Sequence, residues 1–329
     1  MAVAQPEARA RTVWALTDER AGNRGQVLGV SEALGLPFHV KEIRYGRLAR
    51  LPNRLLGASL AGLDQQSRAA LTPPWPDVVI AAGRRAAPVL RAIKRLGNGR
   101  PFVVQLMDPG GRRNDLDLVA VPAHDGLPPA PNIIRTVGSP HRITAERLAA
   151  ARREWLPRLQ HLPTPRIAVM VGGPTKRRGF TTEMAQALAR TASQLAAAAG
   201  GSLLVSTSRR TGDAADELIA AITVPHHAYR YGDAGENPYL GYLAVADASI
   251  VTGDSASMCT EACATEAPVY IYAPPGYAIA KHRRLHQSLF DHGCARPLGG
   301  QLETWRYAPV NSAGAIAAEI LARLNRGPI

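Results

Sequence analysis

Residues 250–262 read Ile-Val-Thr-Gly-Asp-Ser-Ala-Ser-Met-Cys-Thr-Glu-Ala: an apolar run, a Gly-Asp-Ser turn, then a helical pattern. A short β-branched run that stops at glycine and resumes as a helix is the strand–turn–helix unit of a parallel α/β protein. The turn places Asp254 and Ser255 at a helix N-terminus, where free N–H groups and the positive end of the dipole suit an anion such as a diphosphate. Glu261 lies one turn beyond Ser257, about 6 Å along the axis and on the same face, from where a carboxylate can hold ribose hydroxyls. The same residues also read as an ordinary Ser or Asp cap followed by a solvated glutamate. The functional reading predicts a nucleotide-sugar site.

The unit repeats along the chain. In the second half, strands are expected at Arg166 to Val171, Ser202 to Thr207 and Val269 to Tyr272, with a short one near Ala228. Helices are expected at about Thr181 to Ala199, Asp213 to Ile222 and Asn237 to Val245. In the first half the strands read Thr12 to Leu16, Val40 to Arg44, Asp77 to Ala82, Phe102 to Met107, Leu116 to Val121 and Asn132 to Thr136. A polar loop from Thr17 to Gly25 follows the first strand, then a helix from Gln26 to Leu34, and a later one from Arg84 stops at Gly97. The helix from Thr144 to Leu159 ends at His161-Leu162-Pro163-Thr164-Pro165, the clearest boundary in the chain. The fold class is therefore α/β, as two doubly wound halves: 1–160, 161–310, and an amphipathic tail helix, 311–329, that can pack back on the first half.

Composition sets the partners. The 329 residues are 46% hydrophobic and 20% charged, the balance of a globular protein, and no apolar run approaches the length that spans a bilayer. Residues 1–11 hold no apolar core of a secretory signal, so the expected location is cytoplasmic. The net charge of +13 is almost all arginine, since only Lys41, Lys94, Lys176 and Lys281 are lysines. That excess favours anionic partners and extends the expected location to the inner face of the membrane, as peripheral contact with anionic lipid. Aromatic residues are only 5%, which argues against nucleic acid. Cys259, Cys263 and Cys294 form no disulfide framework, and Cys259 with Cys263 lacks the second pair that a zinc set needs. His226-His227 and the pair His282 and His286 have no glutamate companion for a metalloprotease motif, so no metal site is expected.

In doubly wound sheets ligands sit beyond the carboxyl ends of the strands, so the turns after strands carry the candidates. Gly172-Gly173 lets a ligand approach the backbone, Ser208-Arg209-Arg210 offers guanidiniums to a diphosphate, and Asp254, Ser255 and Glu261 complete the set. In the first half, Asp18 suits a base, and Asn23 and Gln26 suit amide or sugar groups. Gly83-Arg84-Arg85 and Asp108-Pro109-Gly110 follow strands on the same edge, although an Asp before Pro also simply starts a turn. No G-x-G-x-x-G, Walker loop or G-x-S-x-G elbow accompanies them.

Taken in order, Leu16 to Gln26, Asp108-Pro109, Gly172-Gly173-Pro174, Ser206 to Thr211, Asn237-Pro238-Tyr239 and Thr252 to Ser255 with Ser257-Met258 and Glu261-Ala262 resemble the mitochondrial-fission Elongated-Mitochondria (ELM) family and its bacterial relatives. Pro268-Val269-Tyr270, Lys281, His286, Gly293 and Arg296 extend the resemblance over nearly the whole chain, and Glu19 departs from it where relatives more often carry glycine. The family in turn resembles GT-B glycosyltransferases, which implies two Rossmann-like domains facing a cleft, with a nucleotide-sugar donor on the C-terminal one and an acceptor of unspecified kind on the other. By that resemblance Gly173, Ser208, Arg209, Ser255, Ser257, Met258 and Glu261 line the donor site, while Asp18, Asn23 and Asp108 face the acceptor. It also implies metal-independent transfer with no cofactor beyond the nucleotide-sugar. The plant member's association with recruiting a dynamin-related protein implies an alternative, a non-catalytic adaptor that keeps the fold. An NAD-dependent epimerase is disfavoured, because the one Tyr-x-x-x-Lys spacing, Tyr277 to Lys281, lies far from any dinucleotide fingerprint.

Overall fold

The computed structural model describes residues 11–175 and 178–326; residues 1–10, on which the expectation about a secretory signal rests, lie outside them. The chain divides into two compact units, one made of the described residues up to Arg142 together with those from Ser312 onward, the other of Ile143 to Asn311.

The first unit runs β1 (Val13–Thr17), α1 (Ala21–Ala33), β2 (Phe38–Glu42), α2 (Asn53–Leu56), α3 (Gln65–Ala69), β3 (Val78–Ala82), α4 (Ala87–Leu96), β4 (Phe102–Leu106), β5 (Leu118–Pro122) and β6 (Ile133–Thr136). Its six strands are all parallel, in the order β2-β1-β3-β4-β5-β6. Alternate strand residues feed two cores. Val13, Ala15, Val78, Ile80 and Val104 pack with α1, while Trp14, Leu16, Val79, Ala81 and Val103 pack with Val89, Leu90 and Ile93 of α4. Burial on both faces is why these strands read as continuous apolar runs rather than alternating ones.

The second unit runs α5 (Ala145–Leu159), β7 (Arg166–Val171), α6 (Thr182–Ala198), β8 (Ser202–Thr207), α7 (Ala214–Ala220), β9 (His226–Tyr229), α8 (Tyr239–Val245), β10 (Ala248–Thr252), α9 (Ala256–Ala262), β11 (Val269–Tyr272), α10 (Ala280–Asp291) and β12 (Ala295–Pro297). Its parallel sheet has the order β12-β11-β10-β7-β8-β9, the 3-2-1-4-5-6 arrangement of a Rossmann sheet counted from its own first strand. A last helix, α11 (Ser312–Asn325), returns to the first unit, where Ile316 and Ile320 are buried beside Val27 and Val30 of α1. Ser312 Oγ donates to the Val137 carbonyl at 2.6 Å, and Arg323 Nη2 donates to that of Pro131 at 2.7 Å.

Two sequence expectations change. The polar loop after β1 is only Asp18 to Arg20, because α1 already begins at Ala21. Gly22, Asn23 and Gly25 are weak helix formers, yet packing of α1 on β1 and β3 outweighs their propensity. The unit boundary also precedes α5 rather than following it. Trp155 and Leu159 of α5 are buried, and Trp155 meets Tyr242 of α8 edge-on at 6.1 Å. A side chain at Gly241 would overlap the Trp155 ring, so this glycine lets α8 seat against α5. The Pro-punctuated segment 161–165 is thus a connection inside the second unit.

Candidate functional site

In each sheet the chain reverses direction of growth once, between β1 and β3 in the first and between β7 and β10 in the second. Ligands of open α/β sheets sit at such switch points, beyond the strand carboxyl ends. Asp18 and Gly83 end the two strands of the first switch point; Gly172 and Gly253-Asp254 end those of the second.

In the second unit the three strand-end loops are tied together by one carboxylate. Asp254 has no side-chain exposure. It accepts from the Gly173 N–H at 3.0 Å and the Tyr277 hydroxyl at 2.7 Å, and it pairs with Arg210 Nη1 at 2.6 Å. Gly172 N–H donates to Thr252 Oγ1 at 2.7 Å. A Cβ at Gly172 would sit closer than 3.0 Å to both Asp254 oxygens, and one at Gly173 would meet the Arg210 carbonyl as closely. The β8 loop closes on the same point. Ser208 Oγ donates to the Gly172 carbonyl at 2.6 Å, and Thr211 Oγ1 donates to the same oxygen at 2.5 Å. Gly172, Gly173, Ser208, Arg210 and Asp254 are therefore brought together, and their polar groups are largely spent on holding the loops.

Outside the knot lie the remaining candidate residues, on the first turns of α9 and in the loop after β8. Ser255 Oγ caps α9 by accepting from the Met258 N–H. The N–H groups of Ala256 and Ser257 have no acceptor among the described residues, as expected for a first helical turn. Arg209, next to the paired Arg210, is exposed and likewise has no carboxylate partner among the described residues. Glu261, one turn along α9, accepts from the Tyr239 hydroxyl at 2.6 Å through Oε2. Burial pushes the Glu261 carboxyl above its usual range, against the opposing pull of the Tyr239 hydrogen bond. Beneath the turn, His286 Nε2–H donates to the Gly253 carbonyl at 2.8 Å. Burial lowers His286 to about 4, so it is neutral near pH 7 and its ring backs the turn as a fixed donor.

In the first unit Asp18 is buried at the end of β1 and turned inward by two donors, Asn23 Nδ2 at 2.9 Å and the Arg20 N–H at 3.0 Å. The pair lines a small cavity of about 130 Å³ with Arg20, Gly83, Arg84 and Arg85. Gly83, at φ 84°, passes so close to the Asn23 amide that a side chain there would be both strained and crowded. Glu19 reaches out to Arg85 at 2.8 Å, and the Arg85 guanidinium lies over the Tyr45 ring at 4.3 Å. Thr17 Oγ1 and Gln26 Oε1 are buried without a hydrogen-bond partner among the described residues. Asp108 is not part of this cavity. Its Oδ1 accepts from the Gly110 N–H at 2.9 Å and from Arg113 at 3.1 Å, which makes it a turn-former.

Three contributors escaped the sequence reading: Tyr277, Thr211 and Tyr239. Tyr277 is fully buried and its hydroxyl donates to Asp254. Tyr239 stood in a recognised motif, but nothing in the sequence joined it to Glu261, 22 residues away. The three cysteines are free and buried, and among the described residues no group of three or more His, Cys, Asp or Glu side chains is close enough to hold a metal. No described helix is long and apolar enough to cross a membrane.

Among solved structures the chain is similar to UDP-GlcNAc 2-epimerase of Methanocaldococcus jannaschii, with a TM-score of 0.57, 12% identity, and coverage of 96% of this chain and 100% of that one. It is similar in the same degree (TM-score 0.57, 11% identity, 96% and 100% coverage) to UDP-GlcNAc 2-epimerase of Neisseria meningitidis, solved with UDP-GlcNAc bound. At such identities the likeness is one of fold, and that fold is GT-B-like: two Rossmann-like α/β units in one chain. In sequence it is 26% identical over 295 residues to mitochondrial fission protein ELM1 of Arabidopsis thaliana, covering 82% of this chain and 69% of that protein. It is 27% identical over 344 residues to an uncharacterised protein of Rickettsia prowazekii (strain Madrid E), covering 93% and 96%. The profile of the family described as Mitochondrial fission ELM1 matches residues 21–324, and the chain belongs to that family.

Proposed function

We propose that the chain binds a nucleoside-diphosphate sugar on its second unit and transfers the sugar to an acceptor hydroxyl. The observation that carries this is the Asp254 knot. It fixes the loops after β7, β8 and β10 at the switch point while leaving the Ala256 and Ser257 N–H groups, the Ser257 hydroxyl and Arg209 for an anion. Met258 follows on the same first turn, and Glu261 is one turn further on for ribose hydroxyls. The fold shared with an enzyme solved with UDP-GlcNAc supports the same ligand class.

In this reading the diphosphate leaves with the electron pair of the bond to the anomeric carbon, its charge offset by Arg209 and the helix N–H groups. The acceptor oxygen bonds to that carbon and gives up its proton to a base. The test is release of diphosphate from uridine, guanosine and thymidine diphosphate sugars. Arg209→Ala should slow release by about 100-fold or more. Undiminished release would remove Arg209 from the mechanism. Binding with no release from any donor would favour the second reading, a non-catalytic interaction protein, which the name of the Arabidopsis relative supports.

A further inference from the structure

A second cavity in the first unit, of about 860 Å³, lies between α2, α4 and the loop after β4. Six cations stand in its wall, Arg54, Arg84, Arg91, Lys94, Arg95 and Arg112, against one carboxylate, Asp115. Four of the six are already engaged. Arg91 pairs with Asp115 at 2.8 Å, Lys94 pairs with Asp117, Arg84 bonds Asn53 at 3.3 Å and Arg112 bonds Asn114 at 3.1 Å. Arg54 and Arg95 have no carboxylate partner among the described residues. The wall thus has positive charge to spare for an anion of phosphate-ester type.

The segment beside it has an unusual surface. Between residues 47 and 55, Arg47, Leu48, Arg50, Leu51, Arg54 and Leu55 are exposed, while Ala49 and Asn53 are buried. Asn53 Nδ2 donates to the carbonyls of Arg84 and Pro109, both at 2.8 Å, so the segment is pinned to the loops after β3 and β4. The leucines therefore stay in solvent by construction rather than by fraying. Leu55 is 67% and Leu48 51% exposed, and Leu96 is exposed directly after Arg95 on the last turn of α4. Four of the six large apolar side chains exposed among the described residues belong to this one region.

A soluble phosphorylated ligand or a nucleic-acid backbone would use the arginines and gain nothing from the leucines. An anionic bilayer uses both, because arginines meet lipid phosphates at the depth where leucines enter the acyl boundary. We propose that this face docks on an anionic phospholipid surface, with residues 47–55 and the end of α4 at the interface and a lipid headgroup phosphate in the cavity beside them. The proposal does not depend on the nucleotide-sugar reading.

The experiment is sedimentation of the full chain with phosphatidylcholine vesicles containing about one-third phosphatidylglycerol, against pure phosphatidylcholine, at low and physiological salt. Binding is expected to the anionic vesicles only and to weaken with salt. The double variant Arg54→Glu and Arg95→Glu should lose at least about 20-fold in affinity, from about fivefold per arginine. Leu51→Ser and Leu55→Ser should each lose about tenfold without changing the salt dependence, which keeps the test informative if the double variant misfolds. A control with the same charge change on exposed residues of the second unit, Arg190→Glu with Arg306→Glu, should bind as the parent does. Equal binding to both vesicle types, an equal loss in the control, or saturable binding of glycerol phosphate with no vesicle binding would each overturn the proposal.

Discussion

Tyr277 donates its hydroxyl, at 2.7 Å, to an Asp254 carboxylate that has no exposure to solvent. The bond joins the segment before α10 to the turn that opens α9, and the same carboxylate reaches the loops after β7 and β8. Hydrogen bonds to a buried charge contribute about 1.5–3 kcal/mol. Tyr277→Phe should therefore lower the unfolding temperature of the second unit by about 3–12 °C. Asp254→Ala should cost more, because it leaves the Arg210 guanidinium, the Tyr277 hydroxyl and the Gly173 N–H without their shared acceptor. Differential scanning calorimetry checks both; an Asp254→Ala protein as stable as the parent would mean that the knot holds nothing.

Two glycines of α1 should respond oppositely to the same change. A Cβ at Gly25 meets nothing within 4 Å, so Gly25→Ala should stabilise by about 0.5–1 kcal/mol through helix propensity. A Cβ at Gly29 would overlap the His141 carbonyl, so Gly29→Ala should destabilise by more than about 1 kcal/mol. Urea midpoints of the two variants provide the comparison, and equal effects would contradict the packing of α1 against residue 141.

His286 gives the second unit a pH dependence of definite sign. Its folded value near 4 lies below the ordinary histidine value of 6.5, chiefly through burial, so the unfolded chain binds the proton more readily. Its contribution is complete above about pH 6.5 and is lost as pH falls toward 4. Between pH 7 and pH 5 that loss is about 2 kcal/mol. His282, also lowered by burial and facing Asp254, adds in the same direction. His286→Gln keeps a donor for the Gly253 carbonyl but does not titrate, so its unfolding midpoint should fall less between pH 7 and pH 5. An unchanged pH dependence would remove His286 as its source.

If Glu261 holds ribose hydroxyls as a carboxylate, its raised value makes nucleotide binding weaken at a higher pH than an ordinary glutamate would. Tyr239→Phe deletes the hydrogen bond that favours the ionised form and should move this weakening to still higher pH. Dissociation constants measured across the mildly acidic range, in parent and variant, test the direction.

Much of the fold is legible in the sequence because parallel strands buried on both faces leave uninterrupted apolar runs. Arg166–Val171, Ser202–Thr207 and Val269–Tyr272 begin and end where the residues say they should. The start of α1 is not legible, since Gly22, Asn23 and Gly25 are helical only because β1 and β3 lie beneath them. The unit boundary misleads for a related reason: prolines 163 and 165 mark a turn, while the allegiance of α5 is settled by Trp155 against Gly241. At the site, the turns were legible and their division of labour was not. Gly172, Ser208, Arg210 and Asp254 look like ligand contacts by type, yet bonds between residues 36 to 104 positions apart commit most of their polar groups to one another. Asp18 and Asn23, five residues apart at one helix start, were within reach of local reading, and they meet.

The proposed function requires a diphosphate held by Arg209 and the first turn of α9, with ribose at Glu261. Isothermal titration of uridine, guanosine and thymidine diphosphates into the full chain measures this binding. Saturable binding of at least one diphosphate is expected, weakened about tenfold or more in Arg209→Ala and in Glu261→Ala, the loss expected for one charge-assisted hydrogen bond. No binding of any of the three, or binding undiminished in both variants, would contradict it.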